Sequence, residues 1–292
     1  MDAKLLQTMF ALLFNGIAYG MILFIMSAGL SITMGTMRVV NLAHCGFAMV
    51  GGYLAYALMT DGGISFLPAV VLAFVLIAVL GAVLEFLLYR SIYRQSELKQ
   101  VILTLGLALV MIASMNLIFG SGVHNLDIPQ ALTGNTQIWG VGLSIYRLFL
   151  IIASTLVGIV VWFVVERTGL GKKLKAAVDN PRMAKSVGIN VDVFFAGTFA
   201  VGCGLAALGG ALGAELMPLQ PFYALRYLVI VVIVVSVGGL GSIKGTLVAA
   251  LGLGVIDTFG TYFFPNVGAF LVYFIMIVVL FIKPQGLFGR AA

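Results

Sequence analysis

The segment Thr168–Asn190, TGLGKKLKAAVDNPRMAKSVGIN, decides how the rest of the chain is arranged. It is the longest polar stretch in a sequence that is 62% hydrophobic and 9% charged, and apolar runs of membrane-span length flank it. Six of the 16 lysines and arginines lie in or beside it: Arg167, Lys172, Lys173, Lys175, Arg182 and Lys185. Loops rich in Lys and Arg stay on the cytoplasmic side of a membrane. We therefore expect this segment, about residues 167–191, to be cytoplasmic and to orient its neighbours.

The second half of this segment carries the signals of a short helix. Asn180 followed by Pro181 predicts an N-cap with proline at the first helical position, and Gly188 predicts the stop. Asp179 precedes the cap. The enclosed helix of about two turns has Met183, Ala184 and Val187 on one face, with Arg182 and Lys185 beside it.

The first half of the segment predicts a second helical piece, Lys172–Val178, which groups Leu174, Ala177 and Val178. Short amphipathic helices on a cytoplasmic loop can lie on the membrane or dock into the groove of a partner. The alternative is a basic topology signal that binds no partner.

Composition predicts an all-α, polytopic membrane protein with a single transmembrane domain over residues 1–292. The mean hydropathy is +1.17, and the apolar runs are continuous instead of alternating as in a β-barrel. The chain has a pI near 9.4 but lacks the basic, aromatic-interleaved stretch of a nucleic-acid surface, so we expect no nucleic-acid partner. Cys45 and Cys203 stand alone without metal-ligand spacing and are expected to be small buried residues.

About eight or nine transmembrane helices follow from the apolar runs. The runs are Thr8–Met34, Val39–Met59, Phe66–Tyr89, Val101–Phe119, Ser144–Val165, Val193–Met217, Tyr227–Val237, Thr246–Phe264 and Val267–Ile282. Glycines interrupt the stretches 39–59 and 227–245, so these are expected to be broken or re-entrant.

The distribution of positive charge favours an outside N-terminus and a cytoplasmic C-terminus. With nine crossings, 13 Lys and Arg fall inside: the six of the loop, Arg38, Arg90, Arg94, Lys99, Lys244, Lys283 and Arg290. Three fall outside: Lys4, Arg147 and Arg226. This bias is the expected one for a cytoplasmic loop at 167–191.

We find no catalytic motif. The patterns GxxxxGK[ST], HExxH and GxSxG are absent, so the chain is not expected to be an enzyme, to hydrolyse ATP or to hold a cofactor. Ionisable groups inside spans are candidates for a translocation pathway, namely Asp257 and His44, with Glu85 and Glu215 nearer the ends of their spans. Packed interhelical hydrogen bonds are the alternative. A carrier driven by protons or ions would usually have more buried ionisable groups than these spans contain. The scarcity favours transport driven by an external energy source, or a passive pore.

Three motifs in order carry a family resemblance. They are Phe14–Gly20 through Gly29–Gly35 with Val40-Asn41-Leu42-Ala43-His44-Cys45-Gly46-Phe47; Ala176–Pro181 with Ser186–Asn190; and Val237–Gly245. Together these resemble the H-type inner-membrane permease of branched-chain amino acid ABC transporters. Cys45 stands where that family usually has glycine.

The resemblance implies a subunit of a binding-protein-dependent importer in the bacterial inner membrane. Its partners would be two ATP-binding subunits, a second permease of the M type, a soluble periplasmic substrate-binding protein and the surrounding lipid. Asn180–Gly188 would contact the ATPases, with Met183 and Val187 as apolar anchors and Arg182 and Lys185 at the rim. Asn41, His44 and the backbone near Gly46 would offer polar contacts along an apolar pathway for branched-chain amino acids.

Two alternatives stay open at this point. Related permeases carry urea, short amides or aromatic acids, so the cargo is not fixed by the resemblance. The chain could also be an autonomous channel or facilitator built from internal repeats, with the two glycine-interrupted runs as corresponding half-helices.

Overall fold

The computed structural model describes residues 3–37, 39–93 and 95–289, and these form a bundle of α-helices. The helices are α1 (Ala3–Met37), α2 (His44–Thr60), α3 (Phe66–Leu84), α4 (Arg90–Ile92), α5 (Glu97–Phe119), α6 (Ile145–Arg167), α7 (Gly169–Asp179), α8 (Pro181–Ser186), α9 (Val191–Leu212), α10 (Tyr223–Gly238), α11 (Ile243–Phe263) and α12 (Gly268–Ile282). A π-helical turn, Glu85–Tyr89, joins α3 to α4, and 3-10 turns lie at Gln130–Leu132 and Gly213–Glu215. The predicted all-α, polytopic class is confirmed.

One small sheet was not predicted. Strands β1 (Asn135–Ile138) and β2 (Val141–Ser144) pair antiparallel around a two-residue turn, Trp139-Gly140. Both turn residues have positive φ, 53° and 74°, the conformation that suits a tight hairpin. The Trp139 ring packs 5.6 Å from that of Phe10, so the hairpin rests on the start of α1.

The long helices run between two ends of the molecule, here named the loop face, which carries residues 168–190, and the opposite face. At the loop face, Arg90 contacts Asp192 at the start of α9, and Gly35 near the end of α1 approaches Gly241. At the opposite face, Gln7 in α1 donates to the Trp139 carbonyl, and residue 124 pairs with residue 219. The chain thus alternates direction through α1, α2, α3, α5, α6, α9, α10, α11 and α12.

Length and composition support membrane crossing by most of these segments. Within the described residues, six helices are long and apolar enough to span a bilayer, and Tyr223–Gly238 and Phe270–Ile282 are shorter apolar helices. α2 has 17 residues and completes its crossing only together with the extended chain before it. The outer helices expose large apolar side chains, for example Leu117, Phe274 and Phe281, as lipid contact requires.

The distribution of positive charge in the sequence assigned 13 lysines and arginines to the cytoplasmic side. Those that the structure describes lie at the loop face, at helix ends or in the loops there. Arg38, Arg94 and Arg290, which also belong to that set, lie outside the described residues. Arg226, predicted among the outer cations, lies in the first turn of α10, at the end of that helix away from the loop face. The starting residue of α10, Tyr223, donates from its hydroxyl to the Met26 sulfur of α1.

The core is formed by α1, α2, α9, α10 and α11 around small residues. An added Cβ at Gly16 would lie 2.7 Å from the Val255 Cα, and one at Gly29 would collide with the Gly202 carbonyl oxygen. Gly209 faces Met26 of α1 in the same way. These helices can approach closely only because no side chain intervenes, which is the packing rule for helices in membranes. Gly16 and Gly20 of α1, and Gly209 and Gly213 of α9, are GxxxG pairs in the sequence, and all four lie at helix contacts.

The two interrupted runs differ from each other. Residues 39–43 are non-helical and α2 begins at His44, so the first run is broken inside the bundle, as predicted. The glycine stretch after Tyr227 is instead a turn at the loop face, because α10 continues to Gly238 and stops at Gly239, where φ is +96°. The real break of that span precedes Tyr223. α2 and α10 therefore both start inside the bundle, beside Met26, and run to opposite faces.

Candidate functional site

The loop-face segment folds as the two short helices α7 and α8. The Thr168 hydroxyl accepts from Gly171 N at 3.5 Å and caps α7, which starts at Gly169, earlier than the predicted Lys172. The Asn180 side chain accepts from Met183 N at 3.0 Å and caps α8, with Pro181 at its first position. The predicted N-cap and proline are thus where the sequence placed them.

Gly188 ends α8 in a two-bond C-terminal cap. Ile189 N donates to Ala184 O at 2.9 Å and Gly188 N donates to Lys185 O at 3.1 Å, while Gly188 has φ of +84°. This is the Schellman arrangement, which needs a residue tolerant of positive φ at the C′ position. Both ends of α8 are fixed by the sequence, so a helix of only six residues has a defined geometry.

A small apolar cluster attaches α7 and α8 to the bundle. Ala177, Ala184 and Val191 are buried against one another, and Ile189 and Phe195 pack on them. The structure corrects the predicted face of α8 here. Ala184 points inward, 3% exposed, and does not share a surface with Met183 and Val187.

Ion pairs add further attachments at the loop face. Asp192 Oδ2 lies 2.9 Å from Arg90 Nη2 and 3.4 Å from Lys185 Nζ, so one carboxylate joins α4, α8 and α9. Lys175 Nζ of α7 lies 2.8 Å from Glu166 Oε2 of α6. Because all these side chains are about half exposed, each pair contributes little stability, but together they fix the direction of α8. Lys185, predicted as a rim charge, is therefore already engaged within the chain.

The outer surface of α8 is apolar and open. Met183 is 62% exposed and Val187 is 68% exposed, and Arg182 is exposed beside them. Asp179, Asn180, Pro181 and Gly188 are also exposed and form the ends of this surface, named here the α8 surface. A firmly attached helix with exposed apolar side chains and a neighbouring cation is suited to binding a protein partner.

The predicted pathway residues Asn41 and His44 lie together at the break before α2. Asn41 Oδ1 accepts from Tyr89 Oη at 2.8 Å and from Ala43 N at 3.1 Å. His44 Nε2 donates to the Met26 carbonyl at 2.8 Å. Both side chains are buried, and Asn41 Nδ2 and His44 Nδ1 have no hydrogen-bond partner among the described residues. Unsatisfied polar atoms at such a depth are costly, and water or a ligand would satisfy them.

The other two predicted pathway residues have different surroundings. Gly46 packs against α5, where an added Cβ would lie 2.7 Å from Met111 Sδ, so it serves close packing beside His44. Asp257 lies on α11, partly exposed, near the stretch of α11 that packs on Gly16 and Gly20 of α1. Among the described residues, no hydrogen bond or ion pair joins Asp257 to Asn41 or His44, which lie together at the break before α2.

Sequence reasoning missed the residues that hold the extended segment 39–43 in place. Gln100 Oε1 accepts from Val40 N at 3.3 Å, and Thr104 Oγ1 accepts from Leu42 N at 3.2 Å. Non-helical backbone within a membrane is tolerated where protein satisfies its polar groups. Gln100 and Thr104 lie one turn apart in α5, and two buried polar residues at that spacing in an apolar span could have signalled this role.

Glu85, expected near the end of its span, lies there and is buried within the protein, at 2% exposure. It starts the π-helical turn, and its carboxylate accepts from Tyr93 Oη at 2.6 Å. Burial, and then this hydrogen bond, hold the pKa of the Tyr93 hydroxyl well above its usual range. The same π turn carries Tyr89 to Asn41. π-Helical turns recur at functional sites, and this one orients a side chain toward the broken span.

An apolar groove of about 800 Å³ lies between α3, α6, α7 and α9. Its lining is almost wholly aliphatic and aromatic, with Thr198 as its one hydroxyl-bearing member. A groove with so few polar groups suits lipid chains better than an amino acid, which carries two charges. We therefore do not place the cargo there.

The broken span and the two half-helices within a multi-pass bundle are typical of one class of protein, the membrane transport proteins. Comparison of the sequence with known families identifies the family. Residues 12–280 match the family described as branched-chain amino acid transport system, permease component, and the chain belongs to that family.

Several curated relatives match along almost the whole chain. The high-affinity branched-chain amino acid transport system permease protein BraD of Pseudomonas aeruginosa is 26% identical, covering 95% of both chains. The high-affinity branched-chain amino acid transport system permease protein LivH of Escherichia coli strain K12 is 24% identical over 95% of this chain and 94% of its own. A probable LivH of Methanocaldococcus jannaschii is 27% identical over 94% and 91%. No solved structure matches the chain.

Proposed function

We propose that this chain is the H-type permease subunit of an ATP-driven, binding-protein-dependent importer of branched-chain amino acids in the bacterial inner membrane. Family membership over residues 12–280 supports a permease of this kind. The relatives named above support leucine, isoleucine and valine as cargo. Two ATP-binding subunits, a second permease of the M type and a soluble periplasmic binding protein complete the proposed assembly.

The structural support for this proposal comes from the α8 surface. Met183 and Val187 are exposed on a helix that is capped at both ends, and its Lys185 shares the Asp192 carboxylate of α9 with Arg90 of α4. A force applied to that helix passes to α9 and, through α4 and the π-helical turn before it, to α3. This is the requirement for converting closure of two ATPases into movement of a permease. We propose that the loop face is cytoplasmic and that α8 sits in a groove of an ATPase.

The coupling role is tested with Met183→Asp and Val187→Asp in the assembled complex. A buried, unpaired carboxylate at an interface opposes association, so we expect the ATPases to be lost from the purified complex and uptake of leucine to stop. Val123→Asp is the matched control, because Val123 is 58% exposed at the opposite face. Retention of the ATPases and of uptake in both α8 variants would leave residues 167–191 as a topology signal alone.

The cargo is tested by uptake into proteoliposomes that contain all the subunits. We expect ATP-dependent uptake of leucine, isoleucine and valine, and none when ATP or the binding protein is omitted. The panel also includes urea, a short amide and an aromatic acid, the other cargoes of related permeases. It includes fructose as well, since the fructose import permease FrcC of Rhizobium meliloti is 28% identical over 57% of this chain and 49% of its own.

The channel alternative predicts a different result in the same system. Solute would then move through this chain alone, down its gradient and without ATP. Such movement, with no ATPase or second permease recovered from native membranes, would exclude the importer.

A further inference from the structure

A second groove, of about 360 Å³, lies between α1, α6 and α11. Its walls are apolar along most of their length, with Phe24 from α1, Ile159 from α6 and Leu251 from α11. Ile159 is 54% exposed, so the groove opens on the outer surface of the bundle. Lys244 belongs to the same lining and lies seven residues before Leu251 in α11, which is about 10 Å along that helix. The groove is therefore apolar within the membrane and basic at the loop face.

Two cations at that end lie against one aromatic ring. Arg167 Cζ lies 5.4 Å and Lys244 Nζ lies 5.8 Å from the centre of the Trp162 ring, which also lines the groove. Both cationic side chains are exposed, and neither forms an ion pair within the described parts of the chain. Glu166, the acidic neighbour of Arg167, is paired with Lys175 at 2.8 Å. The loop-face end of the groove thus carries uncompensated positive charge.

Two further features of this end favour an anion. Lys244 lies in the first turn of α11, which begins at Ile243, so the positive end of the helix dipole has the same position as the lysine. The indole Nε1 of Trp162 is buried and has no hydrogen-bond partner among the described residues. Indole nitrogen can only donate, and an oxygen of a phosphate would accept from it.

We infer that this groove binds an anionic phospholipid. One acyl chain lies against α1, α6 and α11, and the headgroup phosphate contacts Lys244 and Arg167 beside Trp162. The order of the groove, apolar and then basic, matches the order of the lipid from chain to headgroup. Tryptophan is favoured at the headgroup level of a membrane, and basic pockets between membrane helices bind anionic headgroups. The lipid site does not depend on which cargo the protein carries.

Trp162 itself can report whether the groove is occupied. The chain has two tryptophans, and the other, Trp139, is 83% exposed at the opposite face. In Trp139→Phe, reconstituted as the full chain into phosphatidylcholine vesicles, the fluorescence comes from Trp162 alone. Bromine on an acyl chain quenches a tryptophan only at close range. We expect brominated phosphatidylglycerol to quench Trp162 at a mole fraction about tenfold lower than brominated phosphatidylcholine, because two cations attract the anionic headgroup.

Substitutions of the cations test their part in this preference. In the Trp139→Phe background, Lys244→Gln and Arg167→Gln should each lower the preference for phosphatidylglycerol about fivefold, and Lys244→Arg should keep it. Lys283→Gln is the matched control, since Lys283 is exposed at the end of α12 and does not line the groove. Equal quenching by the two lipids in the unsubstituted groove would overturn the inference. An equal loss of preference in Lys283→Gln would do so too, because it would show only a general effect of surface charge.

Free phosphate and a protein partner would give different results. Inorganic phosphate should not relieve the quenching beyond the effect of sodium chloride at equal ionic strength, since phosphate offers nothing to the apolar part of the groove. Chains with Lys244→Gln or Arg167→Gln, purified from native membranes in mild detergent, should retain every subunit that co-purifies with the unmodified chain. Relief by phosphate would make this a free-phosphate site, and loss of a subunit would make the cations an intersubunit contact; either result overturns the lipid site.

Discussion

Asn41 shows how single side chains make a broken membrane span possible. Its amide oxygen accepts from Tyr89 and from Ala43 N, which fixes the chain direction just before α2 begins. The sequence singled out Asn41 and His44, because polar residues in an apolar run are conspicuous. It did not reveal Tyr89 or Gln100 as partners, because they lie 48 and 60 residues further along the chain from Asn41 and Val40.

Tyr89→Phe tests the strength of that arrangement. The change removes one of two donors to a buried oxygen and leaves the ring in place, so we expect a loss of about 1 kcal/mol in stability. The midpoint of thermal unfolding, followed by fluorescence-detected size exclusion in detergent, should fall. Tyr262→Phe is the matched control, since Tyr262 is 54% exposed. Equal midpoints for both variants would mean that the Tyr89 hydroxyl does not stabilise the break.

At the scale of the element, glycines decide how closely the helices cross. A Cβ at Gly210 would collide with the Ala48 carbonyl oxygen of α2, whereas a Cβ at Gly252 of α11 would meet no atom within 4 Å. The backbone of a neighbouring helix cannot move aside to make room for an added Cβ, whereas the tip of a flexible side chain can. The position of Gly210 within the glycine-rich sixth apolar run could not by itself indicate which glycine carries this contact.

Gly210→Ala is therefore expected to separate α9 from α2 and to lower the yield of monodisperse protein strongly. Gly252→Ala should leave the yield unchanged or raise it slightly, since alanine favours a helix over glycine by about 1 kcal/mol. The measurement is the monodisperse fraction extracted from membranes in mild detergent. A tolerated Gly210→Ala would contradict the close crossing.

The short helices show what local signals can and cannot define. The Asn180 cap, Pro181 and the Gly188 stop were predicted because each acts on backbone groups within a few residues. The inward direction of Ala184 was not predicted, because it depends on Ala177 and Val191 from neighbouring helices. The engagement of Lys185 by Asp192 was missed for the same reason.

Asp192→Asn tests whether the attachment of α8 matters for coupling. The carboxylate pairs with Arg90 and Lys185 at a half-exposed position, so the unfolding midpoint should change little. Uptake per ATP hydrolysed should fall, because α8 loses its link to α4. Glu166→Gln, which breaks only the α6–α7 pair, is the comparison. Unchanged uptake per ATP in Asp192→Asn would show that the apolar cluster alone transmits the movement.

For the whole molecule, hydropathy located nearly every membrane segment, because lipid imposes the same apolar requirement on each. It could not locate the start of α10. Val39–Met59 and Tyr227–Gly245 were treated as comparable interrupted runs, yet only the first contains its break. The second break precedes Tyr223, in a stretch that the sequence assigned to an external turn. The helical position of Arg226, in the first turn of α10, emerged only from the structure.

The orientation of the whole bundle is the last prediction, and the proposed coupling depends on it. Ala131 at the opposite face and Ala176 of α7 at the loop face are both exposed, and each takes a cysteine with little change in size. Because the native cysteines are buried, labelling reports the introduced one. A membrane-impermeant maleimide should label Ala131→Cys in spheroplasts, and Ala176→Cys only after the membrane is disrupted, since the cation-rich loop stays in the cytoplasm. The reverse pattern would place α8 outside the cell, beyond the reach of any ATPase, and Met183 and Val187 would then need a periplasmic partner instead.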